Sequence, residues 1–372
     1  MNKAIKYKAI KYRLYPTKKQ EEMFAKTFGC CLKIWNLMLN DKIEHYKLTK
    51  EMLQTTPTQY KKQEEYKYLK EVDSLALSNV QLHLHTAYKN FFRDKKIGFP
   101  KFKSAKHSRK TYTTNNQNGT VSIIGNGIKL PKVGIVKAKI HRQPDTDWKI
   151  KSATISQDKD DKFYVSVLFE FDKTINQVPI SNNIIGLDYK SDGLYADSNG
   201  NVCGSPKYYR KSQKKLAKLQ RQLSRKEKGS NNRNKARLKV AKLQKHTANQ
   251  RLDFLHKKST EIANQYDVVC VETLNMKNMS NKGFGNGKAT LDNGYGLFLT
   301  MLEYKLADRG KYFVKVDKWF PSSQLCYSCG KQHKEMKNLL TRQFVCECGY
   351  KNDRDTNASL NIKKEGLRLL TI

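Results

Sequence analysis

Four thiols in two close pairs stand near the C-terminal end of the chain: Cys326-Tyr-Ser-Cys329, then sixteen residues, then Cys346-Glu-Cys348. This is the ligand set of a closed, tetrahedral structural zinc site, because a short turn can aim both thiolates of a close pair at one ion. Disulfides or free thiols are the competing reading, but a Cys-x-Cys bridge is strained and the rest of the chain reads as intracellular. Directly after the second pair come Asp353 and Asp355, with Arg354 between them and small residues following at helical spacing. A metal-stapled loop that delivers an acid to the start of a helix points to a catalytic carboxylate. The plainer alternative is Asp355 as a helix N-cap beside a structural knuckle.

Two further acids sit in apolar runs. Asp188 follows Ile184-Ile-Gly-Leu, where a carboxylate is costly unless it has a partner or a cation; an edge-strand Asp facing water is the alternative. Glu272 closes Val268-Val-Cys-Val, as expected at the C-terminal tip of a buried parallel strand, the edge where active groups of α/β sheets gather. Its alternative is a helix N-cap region beginning at Thr273. Asp188, Glu272 and Asp355 together offer hard oxygen ligands suited to Mg²⁺ or Mn²⁺. Two such ions about 4 Å apart can activate a water and stabilise the leaving oxygen in phosphodiester hydrolysis.

The elements that must position these residues follow from periodicity. Residues 4–15 alternate as a strand ending at Tyr15-Pro16. Thr17 and Gln20 form a capping box for a helix whose apolar positions are Met23, Phe24, Phe28, Cys31, Ile34, Trp35, Met38 and Leu39. More helix is expected through 58–94, and Gly98-Phe-Pro breaks it. From 110 to 175 the pattern is strand-like, with hairpin turns at the Asn-Gly breaks of 117–127. The first half therefore reads as a β-barrel or sandwich with a helical insertion at 17–95. A boundary falls near 176–183. The strand bearing Asp188 and residues 193–200 read as a hairpin. Residues 207–258 carry nineteen Lys or Arg against two acids and read as an antiparallel helical hairpin turning at 228–232. That missing acidic balance favours phosphate contact over a merely solvated face, with Lys214, Lys215, Lys218, Arg221, Arg225, Arg233, Arg237 and Arg251 as candidates. A Gly- and Asn-rich loop at 281–296 reads as a flexible lid, 297–309 as a helix, and 311–317 as a strand leading into the cysteines.

Across the whole chain Lys plus Arg is 72 and Asp plus Glu is 34, a formal net charge of +38 in 372 residues. Such a charge repels itself unless a polyanion neutralises it, so nucleic acid is the natural partner and a membrane surface the alternative. No run of eighteen apolar residues exists, so no membrane span is expected, and the N-terminus lacks a secretory apolar region. Cys30, Cys31, Cys203 and Cys270 have no ligand spacing; Cys30, Cys31 and Cys270 read as small core residues. A cytoplasmic location fits all eight cysteines.

With those residues in place, the segments Ile185-Gly-Leu-Asp188, Val269-Cys-Val-Glu272-Thr-Leu-Asn-Met, Phe320-Pro-Ser-Ser-Gln-Leu-Cys326-Tyr-Ser-Cys329-Gly and Asp353-Arg-Asp355-Thr-Asn357-Ala-Ser-Leu-Asn-Ile resemble those of TnpB, proteins of bacterial insertion sequences and ancestors of the type V CRISPR effector nucleases. Tyr12-Arg-Leu-Tyr-Pro16-Thr, Phe28-Gly-Cys and Arg251-Leu-Asp-Phe-Leu-His256 extend the resemblance over essentially the whole chain.

The resemblance implies an α/β plus β fold. A RuvC-like, RNase H-type nuclease core would span 179–318 and 350–372 and include the basic hairpin 207–258. A zinc-bearing target-nucleic-acid-binding insertion would lie at 319–349. A wedge-type β-barrel at 1–16 and 96–178 would carry a helical recognition insertion at 17–95. It further implies an RNA-guided DNA endonuclease with Asp188, Glu272 and Asp355 as catalytic acids on two Mg²⁺ (or Mn²⁺) ions, and one Zn²⁺ on Cys326, Cys329, Cys346 and Cys348. The partners it implies are a guide RNA from the transposon end, one protein per RNA, and double-stranded target DNA beside a short transposon-associated motif. A cleavage-deficient guide-bound repressor and a transposase or its accessory are the rival functions. Two departures stand out. Many relatives have Gly two residues after the first acid, where this chain has Lys190, and the second thiol pair is shorter than the common Cys-x-x-Cys.

Overall fold

Thr17 accepts the Gln20 N–H at 3.4 Å while the Gln20 side chain accepts the Thr17 N–H at 3.0 Å, so the expected capping box starts the first helix. The computed structural model describes residues 4–281, 283, 286–338 and 340–370 and divides into two units, residues 1–174 and 175–372. The first unit runs β1 (Ala4–Tyr15), α1 (Lys18–Thr49), α2 (Pro57–Lys61), α3 (Ser74–Arg93), then β2 (Lys110–Asn115), β3 (Ser122–Ile124), β4 (Gly127–Leu130), β5 (Gly134–Lys139), β6 (Lys149–Gln157) and β7 (Phe163–Lys173). Its strands form one antiparallel sheet in the order β2-β6-β7-β1-β5-β4-β3. No pairing joins the end strands β2 and β3 among the described residues.

The helix expected over 58–94 is broken into α2, a 3₁₀ segment at Glu64–Lys70, and α3. The cause is local. Asp73 accepts the Leu75 N–H at 3.1 Å and restarts the chain as an N-cap. Phe24, Phe28, Cys31, Ile34, Trp35, Met38 and Leu39 of α1 are buried as their spacing requires, whereas Met23 is only partly so.

The second unit continues with β8 (Ile184–Tyr189), β9 (Gly193–Asp197), β10 (Val202–Gly204), α4 (Tyr208–Ser224), α5 (Asn231–Gln265), β11 (Val268–Glu272), α6 (Met276–Met279), α7 (Gly287–Asn293), α8 (Tyr295–Ala307), β12 (Tyr312–Val316), β13 (Gln343–Val345), β14 (Lys351–Asp353) and α9 (Arg354–Leu370). Five strands form a mixed sheet in the order β10-β9-β8-β11-β12, with β8, β11 and β12 parallel. β8 is therefore an interior strand, and the edge-strand reading of Asp188 is corrected. β11 is buried along Val268–Val271, as its apolar run required.

Helix α9 crosses β8, β11 and β12. Its approach is so close that a Cβ on Gly186 would lie 2.1 Å from the Ser359 carbonyl oxygen, and one on Gly366 would lie 2.3 Å from Cys270 Sγ. The small residues after Asp355 are there to let helix and sheet meet. On the other face, α5 and α8 lock together through Lys305. Its ammonium donates to the His256 carbonyl and to the Ser259 and Thr260 hydroxyls at 2.7–2.8 Å. Part of the lid segment, residues 282, 284 and 285, lies outside the described residues; 287–293 is the short helix α7 rather than loop.

Candidate active site and metal centre

Asp188 and Glu272 reach each other because β8 and β11 pair in parallel with Leu187 opposite Val271, so the next residue on each strand projects from the same end of the sheet. Their carboxyl groups are close enough to shift each other's acidity. Burial, then the charges of Glu272 and Asp355, push the Asp188 acid well above the ordinary carboxylate range. Burial also raises Glu272, opposed by the Ser322 hydroxyl, which donates to Oε1 at 2.5 Å, and by Asp188. The Tyr295 hydroxyl is wholly buried beside these two acids and has no hydrogen-bond partner among the described residues.

Asp355 enters from the first turn of α9. The neighbouring acid is the helix cap: Asp353 Oδ1 accepts the N–H groups of Asp355 at 2.9 Å and Thr356 at 3.1 Å. Asp353 is thus occupied by the backbone, while Asp355 stays within electrostatic reach of Asp188, so the N-cap reading belongs to Asp353. Lys190 Nζ donates to Asp355 Oδ2 at 2.5 Å, and Arg342 lies 3.6 Å from Oδ1. Three carboxylates brought together in a poorly solvated place need positive charge. Here two cationic side chains supply part of it, at the one acid they can reach. Three hard oxygen donors from three elements are the ligand type Mg²⁺ or Mn²⁺ prefers, but they do not converge as the thiols do: among the described residues, the group whose ligand atoms all lie within 4.8 Å of one another is the four cysteines.

The cysteines converge independently. One sulfur from each of Cys326, Cys329, Cys346 and Cys348 lies within 4.8 Å of all the others. Cys326–Cys348 and Cys329–Cys346 stand at 3.6 Å, and all four are free thiols. A tetrahedron with Zn–S bonds of about 2.3 Å has S···S edges of about 3.8 Å, so the set fits zinc and the disulfide reading is corrected. Each pair sits on a backbone knuckle closed by a glycine at positive φ. Cys326 N–H donates to Lys331 and Gly330 N–H to Cys326; Cys346 N–H donates to Tyr350 and Gly349 N–H to Cys346. The second knuckle closes with the same two bonds and one residue fewer, which accommodates Cys-x-Cys.

Two asparagines join this centre to the acids. Asn357 accepts the Tyr327 N–H at 3.2 Å and donates to the Leu325 carbonyl at 2.8 Å. Asn361, one turn on, donates to the carbonyls of Ser322 and Leu325 at 2.9 and 2.7 Å. Both are buried. The Asn-x-x-x-Asn spacing puts them on one helix face, gripping the chain between the serine that holds Glu272 and the first zinc thiol.

Of the basic candidates, Lys214, Lys215, Lys218, Arg221 and Arg225 are exposed along α4 and its end. Three make hydrogen bonds to other residues of the chain. Arg233 donates to the carbonyls of Leu223 and Lys226 and so closes the turn between the helices. Arg237 donates to Asn234, and Arg251 to the Leu291 carbonyl at 3.0 Å. The hairpin is tied to the acid-bearing strands through α7. Asp292 accepts the Tyr209 and Arg210 N–H groups, and Asn293 donates to the Ser191 carbonyl.

Comparison with known proteins gives the family. The OrfB_IS605 family model, described as "Probable transposase", matches residues 164–283. A Cas12f1-like TNB domain matches 295–362, and a helix-turn-helix domain of the OrfB_IS605 type matches 1–51. A Streptomyces pristinaespiralis protein with the provisional name RNA-guided DNA endonuclease is 35% identical over 97% of this chain and 89% of its own length. The chain belongs to the TnpB family. InsQ of Escherichia coli K12, provisionally named in the same way, is 31% identical over 97% of this TnpB chain and 93% of its own. The fold is that of Cas12f1, solved as an sgRNA–target DNA complex: TM-score 0.62 at 13% identity, over 96% of this chain and 99% of that one. In this TnpB protein the segment matched as helix-turn-helix is strand β1 and the single helix α1. No described helix is long and apolar enough to cross a membrane.

Ser322, Arg342, Asn357 and Asn361 were not singled out as site residues by the sequence reading. Ser322 and the asparagines lay within segments noted for resemblance, but the backbone groups they bind belong to an aperiodic loop. Arg342 carried no signal at all.

Proposed function

We propose that this protein is an RNA-guided DNA endonuclease of a transposable element that hydrolyses target phosphodiesters at Asp188, Glu272 and Asp355. The observation that carries the reading is the parallel pairing of β8 and β11, which sets Asp188 and Glu272 at the same end of the sheet, with Asp355 in electrostatic reach of Asp188. A net charge of +38 supports a polyanionic partner. In this reading 179–318 and 350–372 are a RuvC-like core, 319–349 a zinc-bearing target-binding insertion, and 1–16 with 96–178 a wedge-type barrel carrying the recognition helices of 17–95. A guide RNA from the transposon end selects the sequence by base pairing, while the protein reads a short flanking motif and the shape of the hybrid.

Asp188, Glu272 and Asp355 would hold two divalent cations, which when bound supply an activated water and charge stabilisation at the leaving oxygen. The chain's own residues do the rest. Ser322 fixes the rotamer of Glu272, the Asp353 cap spares the Asp355 carboxylate from the backbone, and the α4–α5 cations hold phosphates in a salt-dependent way. Cys326, Cys329, Cys346 and Cys348 would hold one Zn²⁺ that anchors the segment between Glu272 and Asp355.

The test is direct. The protein is purified with its bound RNA, the RNA is sequenced, and a plasmid carrying the complementary target is supplied in Mg²⁺. Cutting of both strands that stops with EDTA is expected. Guide-directed binding without cutting, in Mg²⁺ and in Mn²⁺, overturns the nuclease reading in favour of a repressor, and strand joining by the protein alone favours a transposase.

Lys190 gives a second expectation. Its ion pair with Asp355 competes with any cation for that carboxylate. A charge-assisted bond at a half-buried site contributes about 1 kcal/mol. Lys190→Ala should therefore lower the Mg²⁺ concentration for half-maximal cleavage about fivefold, read from a Mg²⁺ titration of initial rates. An unchanged or higher midpoint removes the competition.

A further inference from the structure

His333 has no ligand spacing and no place in the chemistry above, yet it is 8% exposed and both ring nitrogens are engaged. Nε2 lies 3.2 Å from Cys346 Sγ and Nδ1 lies 2.9 Å from Glu335 Oε1. The ring is held edge-on to Phe344, with centroids 5.2 Å apart and planes at 79°. The His333 N–H donates to the Gln324 carbonyl at 2.8 Å, which fixes the backbone below it. Backbone, ring face and both ring nitrogens are all constrained, an arrangement that ordinary packing of a loop histidine does not require.

The sulfur it faces belongs to the shortened knuckle. Cys346 and Cys348 are separated by one residue where Cys326 and Cys329 are separated by two, so the shorter loop has less freedom to aim its first thiolate. We infer that His333 is a positioning residue for the metal centre: it donates an N–H···S bond to Cys346 and is itself oriented by Glu335. A metal-bound thiolate is an acceptor, which matches an Nε2–H directed at the Cys346 sulfur. Such a bond sets the direction of the sulfur lone pairs and disperses part of the negative charge that four thiolates place on one divalent ion. His333 is not a replacement ligand, because the mutually close donor set is the four sulfurs, and Nε2 points at one of them.

The inference rests on the zinc reading, and the experiment separates the two. Zinc is measured in the full-length protein with its bound RNA. Affinity is then obtained by competition with a chromogenic chelator, and Co²⁺ is substituted for its spectrum. One zinc per chain and a four-thiolate Co²⁺ charge-transfer band are expected for the wild type. His333→Ala should weaken zinc binding about 10- to 100-fold with the four-thiolate band retained. His333→Gln, which keeps an N–H, should recover part of the loss, and Glu335→Gln should show a smaller loss than the alanine variant. A wild-type protein that binds no zinc overturns the centre and this role with it. Zinc bound as tightly in His333→Ala as in the wild type overturns the positioning role alone, as does a wild-type Co²⁺ spectrum of three thiolates and one nitrogen. Should His333→Ala fail to fold, equal affinities in Glu335→Gln, His333→Gln and the wild type overturn it instead.

Discussion

Asp188→Asn is expected to lower the single-turnover rate of target cleavage by at least ~10³-fold while leaving guide-directed DNA binding within about twofold of wild type. The amide keeps the volume of the carboxyl, so β8 and β11 have no reason to part. What it removes is anionic charge. A cation in a hydrolytic site contributes several kcal/mol of charge stabilisation, and each 1.36 kcal/mol is tenfold in rate, so loss of about 4 kcal/mol gives the stated factor. Stability should move the other way. The Asp188 acid is raised by burial and by the charges of Glu272 and Asp355, which marks its ionised form as unfavourable in the folded protein. In EDTA the variant should melt at the same temperature as wild type or higher. That melt is the control: lost cleavage with a raised or equal melting temperature is a chemical defect, and lost cleavage with a large drop is a folding defect. Cleavage within tenfold of wild type, with the fold intact, removes Asp188 from the proposed chemistry.

The contrast between Asp188 and Lys190 shows what could be read in advance. An acid in an apolar run was visible as an anomaly because burial of a charge is costly wherever it occurs. Whether β8 lay at an edge was not visible, since that depends on its pairing with β11 across the whole basic hairpin, and strand neighbours are set by tertiary contacts rather than local pattern. Lys190 stood out only through family resemblance, and its partner Asp355 is far away in the sequence. Asp353 and Asp355 could not be told apart from composition. Two hydrogen bonds from the first turn of α9 separate them, and cap positions shift by a residue without changing any periodic signal. Spacing sufficed for the thiols because zinc chemistry is itself a spacing rule. It could not reveal His333, a single residue whose geometry comes from a 3₁₀ turn and a two-stranded ribbon. The apolar face of α1 was legible, whereas the restart of α3 came from Asp73, a one-residue signal that a periodic window averages away.

Removing the zinc, by chelation or by Cys346→Ser, is expected to reduce cleavage at least 10²-fold and to expose residues 326–348 to protease while β8, β11, β12 and most of α9 stay folded. The local core is the reason. Its buried members are Cys326, Met336, Phe344 and Cys346, with Tyr350 packed against them. Two of the four are the thiols themselves, and a cluster of that size cannot hold a segment without a staple. Structural zinc in small modules contributes about 10–16 kcal/mol of apparent folding free energy, so nothing else in the segment can replace it. The damage should stop at α9, whose close approach to the sheet at Gly186 and Gly366 owes nothing to the metal. It should nevertheless reach the acids. Asn357 and Asn361 grip Ser322, Leu325 and Tyr327, and Ser322 holds Glu272, so a loosened segment frees the rotamer of Glu272 and the entry to Asp355 together. Limited proteolysis read by mass spectrometry should show the first cuts near Leu340, which is 87% exposed, and cleavage should return when Zn²⁺, but not extra Mg²⁺, is added back to the chelated protein. A zinc-free protein that resists protease and cuts at the wild-type rate would separate the two centres and leave the asparagine clamp without a function.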